Sequence, residues 1–197
     1  MASNYADVLE SYIIYDIAEE GFGEAIKKAG KSIVGFIMKV IEGIRNLIRK
    51  LTGRPSVAEE KATKMARKNF ALASYSMANL MTIDTANNLI VTMLQSLIKK
   101  DAVGVYDAID KINNELFNDK FIDTSKKIET LINEGARLPN DSVKKLTSLC
   151  EKGIKTLITT QSILSSNSEA MPSEVYNTIS KTLIAITKMK NLIEKSI

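Results

Sequence analysis

The chain has 197 residues, 45% of them hydrophobic and 25% charged, with no histidine or tryptophan, one cysteine and a formal net charge of +4. That composition supplies a packed core for one domain plus an appendage. It withholds the commonest neutral-pH general base and zinc ligand, and the lone Cys150 can form neither an internal disulfide nor a thiolate metal site.

Three prolines and nine glycines leave long stretches free of helix breakers, and β-type alternation is scarce, so the expected fold is all-α. Tyr5, Val8, Leu9, Tyr12, Ile13 and Ile17 space out a short first helix that ends before Gly21-Phe22-Gly23. Residues 1–20 hold five acidic side chains and no basic one, whereas residues 21–54 hold eight basic and two acidic. The second helix, Glu24 to Leu51, separates the two chemistries. Ile26, Ile33, Ile37, Val40, Ile41, Ile44, Leu47, Ile48 and Leu51 recur at steps of three and four and form one apolar stripe. Lys27, Lys28, Lys31, Lys39, Arg45, Arg49 and Lys50 fill the other side. Such a stripe needs an apolar cover, and the cationic flank prefers anionic surroundings. An acidic segment placed directly before this helix can fold back over it, although two solvated faces of opposite sign account for the same pattern.

Thr52-Gly53-Arg54-Pro55 stops this helix and divides residues 1–54 from a bundle at 55–197. Ser56 with Glu59 has the spacing of a capping box. Apolar positions then run from Ala62 to Ile98, and Thr82-Ile83-Asp84-Thr85 is the expected interruption; a helix from 57 to 99 either breaks there or projects beyond its partners. Asp101 caps a helix carried inward by Val103, Tyr106, Ile109, Ile112, Leu116 and Phe117, which bends at Asn118-Asp119 and ends at Gly135. After the turn Leu138-Pro139-Asn140-Asp141, Val143, Leu146, Leu149, Cys150, Ile154, Leu157, Ile158 and Leu164 mark the next helix, closed by Ser165-Ser166-Asn167-Ser168. Pro172 opens the last, with Tyr176, Ile179, Leu183, Ile186, Met189, Ile193 and Ile197 inward. The expectation is an antiparallel four-helix bundle at about 57–197, preceded by a two-helix segment.

Chemistry-bearing constellations are sparse. Asp107 and Asp110 share a helix face, but such a pair is far more often solvated surface than a catalytic dyad. Cys150 has only Lys152 and Lys155 as candidate bases and reads as a small core residue, and Met65, Met77, Met81 and Met93 read as gap-fillers before they read as a binding groove. There is neither a Walker loop nor a dinucleotide fingerprint. We therefore expect no enzyme, no cofactor, no metal and no small-molecule substrate. The acidic start lacks a secretory pattern, which points to the cytoplasm of the producing cell, and Lys39, Glu42 and Arg45 interrupt the most apolar region, so no span is expected.

Asp16-Ile17-Ala18-Glu19-Glu20-Gly21-Phe22 followed by the cationic helix resembles the start of internal head proteins of large tailed bacteriophages; the resemblance covers the first fifty or so residues. It implies a structural protein packaged in the capsid interior. It also implies candidate processing sites, since in some of these viruses a protease cuts after a glutamate that lies two positions beyond an aliphatic residue and precedes a small one. Ile132-Asn133-Glu134-Gly135 has that form, as does the less regular Ala18-Glu19-Glu20-Gly21, while Glu134-Gly135 serves equally as a helix end. For the helix from 24 to 51 the expected partner is a protein or a second copy, with an anionic membrane surface as the alternative and nonspecific nucleic acid third. Asp at Ile37 or Ile44 is expected to abolish the association.

Overall fold

A computed structural model describes residues 22–50, 56–166 and 172–197, and helix accounts for nearly all of them. The first short helix, the turn at residues 52–55 and the Ala18-Glu19-Glu20-Gly21 site lie outside the described residues. In chain order the helices are α1 (Phe22–Lys50), α2 (Val57–Ile98), α3 (Ala102–Leu116), α4 (Asp119–Asn133), α5 (Asn140–Ser166) and α6 (Ser173–Glu194). They form an all-α bundle with an N-terminal helical segment, in which one bundle position is filled by the broken pair α3 and α4.

Boundaries follow local chemistry. The Glu59 amide donates to Ser56 Oγ at 3.3 Å and the Ser56 amide to Glu59 Oε2 at 2.6 Å, which completes the capping box. The Gly104 amide donates to Asp101 at 3.0 Å, and the Phe121 amide to Asn118 at 2.7 Å, so the chain breaks at Phe117 and restarts with its own cap. Two helices end alike. The Ala136 amide donates to Leu131 O and the Gly135 amide to Ile132 O after α4; the Asp101 amide donates to Ser96 O and the Lys100 amide to Leu97 O after α2. Both turns need a left-handed residue, and Gly135 has φ +87° where Lys100 has φ +56°.

The sequence left the middle of the long helix undecided, and the structure shows it unbroken for 42 residues, about 60 Å. Thr82 and Thr85 donate their hydroxyls to the carbonyls of Ala78 and Met81, so side chains that favour caps are satisfied within the helix. Packing supplies the rest. α2 lies against α1, α3, α4 and α6, which is why its buried residues, Leu72, Ser76, Asn79, Leu80, Ile83, Asp84, Ile90 and Met93 among them, occur all around it. Asn79 donates to Ser125 Oγ at 2.8 Å, and Ser125 in turn donates to Phe121 O, a polar tie between α2 and α4.

Several residues expected inside are exposed: Val103, Tyr106, Phe117, Ile158 and Ile197. Val103, Tyr106 and Phe117 lie roughly 100–160° around α3 from Val105, off the face that buries Val105, Ala108, Ile109, Ile112 and Leu116. Ile197 is the last residue.

The α4–α5 turn closes one end of the bundle. The Arg137 amide donates to Asn69 Oδ1 at 2.9 Å and its guanidinium to the carbonyls of Ile132 and Ala136, while the Leu138 amide donates to Ser196 O. Lys68 pairs with Glu134 at 2.8 Å across the same end. Lys190 clamps α5 to α6 through Glu151 at 3.2 Å and holds Glu194 at 3.1 Å.

The left-handed turns predict opposite effects. Gly135→Ala lowers stability by about 1 kcal/mol, from backbone strain alone, since a Cβ there would meet nothing closer than Met65 at 3.7 Å. Lys100→Gly raises it by about 0.5 kcal/mol, because relief of strain exceeds the added freedom of the unfolded chain. Urea denaturation measures both. Burial pushes the Cys150 thiol up to about 12, with Lys190 opposing and Glu194 and Glu151 adding. The native chain is therefore expected to resist a thiol-specific disulfide reagent at about pH 8 and to react fully once unfolded.

Candidate interaction surface

α1 begins as a core helix. Ile26, Ile33 and Ile37 are 0–4% exposed and belong to the same apolar cluster as Leu80, Ile83, Leu138 and Leu157. α1 runs antiparallel to α2 and also meets α5. Contact is close at Gly30, where an added Cβ would overlap the Met77 thioether.

The apolar stripe is then divided. Ile41, Ile44 and Ile48 are half-buried, while Val40 and Leu47 are 39% and 54% exposed; Leu51 lies outside the described residues. Phe36 and Met38 are also exposed. The cause is geometric. The α4–α5 turn crosses α2 at Asn69, so the part of α2 before about Met65 extends past the end of the bundle with α1 as its neighbour. Val40, Gly43, Ile44 and Leu47 of α1 face Ala58, Glu59 and Ala62 of α2 across an open groove of about 440 Å³. A second hollow of about 240 Å³, lined by Phe36, Ile37, Val40, Ala66, Leu138 and Pro139 among others, continues it to the bundle's end. Half of this surface had a sequence signal, the 4-3-4 spacing of Phe36, Val40, Gly43 and Leu47. On the other wall Ala62 began the apolar run read from the sequence, whereas Ala58 carried no signal, because a lone alanine marks neither core nor surface.

Lys27, Lys28, Lys31, Lys39, Arg45, Arg49 and Lys50 are all exposed, and among the described residues none of them makes an ion pair. Other candidates have local accounts. Asp107 pairs with Lys111 at 2.6 Å on an exposed helix face. Met93 is core, Met77 and Met81 are half-buried and Met65 is exposed. Among the described residues no three His, Cys, Asp or Glu side chains gather as a metal site, and no helix is long and apolar enough to cross a membrane.

Glu134 and Gly135 form the cap and the left-handed residue that end α4, with Ile132 buried beside them. The hydrogen bond and charge of Lys68, with the charge of Lys64, hold the Glu134 carboxyl below its usual range. This contact is intact at neutral pH and is lost as pH falls through the lowered value.

A third hollow, of about 250 Å³ and not revealed by the sequence, lies between the α3–α4 break and α6. Exposed Phe117, Ile122 and Ile184 border it, and the Lys181 ammonium sits 5.3 Å from the Phe117 ring.

The divided stripe predicts divided effects. Ile33→Asp buries a charge in the core and is expected to destabilise the chain by about 3 kcal/mol or more. Leu47→Asp is expected to change stability by no more than about 0.5 kcal/mol. Thermal melts of both variants check this.

No curated protein and no solved structure matches the chain. A family model does match, over residues 2–172, which extends the likeness from the first fifty residues through most of the bundle. The chain belongs to the family of phiKZ-like phage internal head proteins.

Proposed function

We propose that the chain is a non-enzymatic structural component of the phage head interior, attached to its neighbours through the overhanging halves of α1 and α2. The observation that carries this is the apolar groove left open where α1 and α2 outlast the bundle. Burying Phe36, Val40 and Leu47 against a partner recovers roughly 25 cal/mol per Å² of apolar surface removed from water. Membership in a family of internal head proteins supports a partner that is another protein of the head.

Membrane attachment is the second reading, supported by exposed Phe36, Met38 and Leu47 beside the cationic flank. A bilayer surface covers a convex apolar ridge, however, and the apolar surface here is a trough between two helices. Phosphate contact by Lys27, Lys28 and Lys31 is compatible with protein attachment elsewhere on the molecule, but leaves the groove unexplained.

Attachment is measured by expressing the tagged chain during infection and quantifying it in purified heads. The wild-type chain is expected to copurify with them, and Leu47→Asp, once its melt confirms a normal fold, to be depleted at least tenfold. Equal incorporation of that variant overturns attachment through the overhang. Absence of the wild-type chain from heads overturns the role itself.

A further inference from the structure

We infer that the trough between the overhanging ends of α1 and α2 seats a third helix: an acidic amphipathic segment, about three turns long, from another protein chain. This inference rests on the attachment role proposed above and names the partner's chemistry.

Shape indicates a helix. The floor and walls combine small residues, Gly43, Ala58, Ala62 and Ala66, with the large apolar Phe36, Val40, Ile44 and Leu47. Small residues let a helix approach closely, and the large ones interdigitate with its ridge. From Phe36 to Leu47 the trough is about 16 Å long, three turns of helix. Its lower end meets Leu138 and Pro139, just before α5 starts at Asn140. The incoming helix thus occupies the position that α5 would fill if it were longer, and completes a core that otherwise stops short.

Charge indicates the sign. At about 100° per residue, Lys39 and Lys50 lie beside the Phe36-Val40-Leu47 stripe on the side away from α2. Lys61 lies beside the Ala58-Ala62 stripe on the side away from α1. All three are exposed and, among the described residues, make no ion pair. The nearby acids offset them only in part: Glu42 and Glu60 point away from the trough by the same geometry, and Glu59, which lines it, is one carboxylate, held to the Ser56 amide, against three cations. Two copies of this overhang face to face would oppose cation to cation. A strand of nucleic acid would gain nothing from the apolar floor.

Binding is tested on the full chain with two fluorescent synthetic peptides of about twenty residues, long enough to hold a helix. Both carry leucines at steps of three and four; one has glutamates on its remaining face and the other lysines. The acidic peptide is expected to bind at least tenfold more tightly at low salt. Gly43→Phe fills the trough, and nothing lies within 4 Å of an added Cβ there, so the melting temperature is expected to hold or rise while acidic-peptide affinity falls at least tenfold. Lys39→Glu with Lys50→Glu is expected to reverse the preference between the peptides.

Equal binding of both peptides, or acidic-peptide binding indifferent to Gly43→Phe, overturns the inference. So does a dimer that Gly43→Phe abolishes, which assigns the trough to a second copy, binding to phosphatidylglycerol vesicles that Gly43→Phe abolishes without peptide binding, or acidic-peptide binding that appears only when residues 1–20 are removed, which assigns the trough to this chain's own acidic segment. If the peptides fail while head incorporation still depends on Leu47, the overhang remains the attachment point and only the acidic helix is lost. If incorporation is also indifferent to Leu47, the attachment role falls too.

Discussion

One mismatch of length shapes this molecule: α2 has 42 residues, while α5 and α6, which complete the bundle, have 27 and 22. A helix that is apolar on several sides must be covered on those sides along its whole length. α1, α3, α4 and α6 cover most of it. Toward its N-terminus from Asn69 the α4–α5 turn has already crossed, and among the described residues α1 is the neighbour that remains. Two helices cannot enclose a core by themselves, so an uncovered apolar trough is the geometric consequence.

α1 serves both regimes without a break. Its first half supplies Ile26, Ile33 and Ile37 to the common core, fixed by the close approach of Gly30 to Met77. Its second half presents the same periodic stripe to an open groove. Because the helix is continuous, the buried half orients the exposed half, and a partner docking there meets a preorganised surface at little conformational cost. The cations belong to this arrangement: exposed and, among the described residues, without an ion pair, they repel a second overhang and attract a chain of opposite sign. The polar contacts at the bundle's end, Arg137 with Asn69 and Lys68 with Glu134, hold the turn at the level where the overhang begins.

What was legible in the sequence was local. Ser56 with Glu59, Asp101 and Gly135 each satisfy backbone groups within a few residues of themselves, so their spacing sufficed to place helix ends, whereas Asn118, read only as a bend, caps a new helix. Lys100 takes a left-handed conformation that gave no such sign. The continuity of α2 through Thr82–Thr85 was undecidable locally, since threonine and aspartate favour caps, yet here the threonines donate to the preceding turn and the buried Asp84 accepts from Asn88 at 3.5 Å. Periodicity identified the apolar stripe of α1 but carried no information on where its cover stops. Val103, Tyr106 and Phe117 were put inside for a different reason: α3 carries two apolar stripes, and spacing alone does not say that the one with Val105, Ala108, Ile109, Ile112 and Leu116 faces the core.

The central claim is that one helix is half core and half open. Hydrogen exchange along α1 in the isolated chain measures this directly. Amides from about Ala29 to Ile37 are expected to exchange only with global unfolding, and those from Ile44 to Lys50 far faster, with the fast segment becoming protected in purified heads. Uniform protection of the whole helix in the isolated chain, or none in either half, would contradict the account.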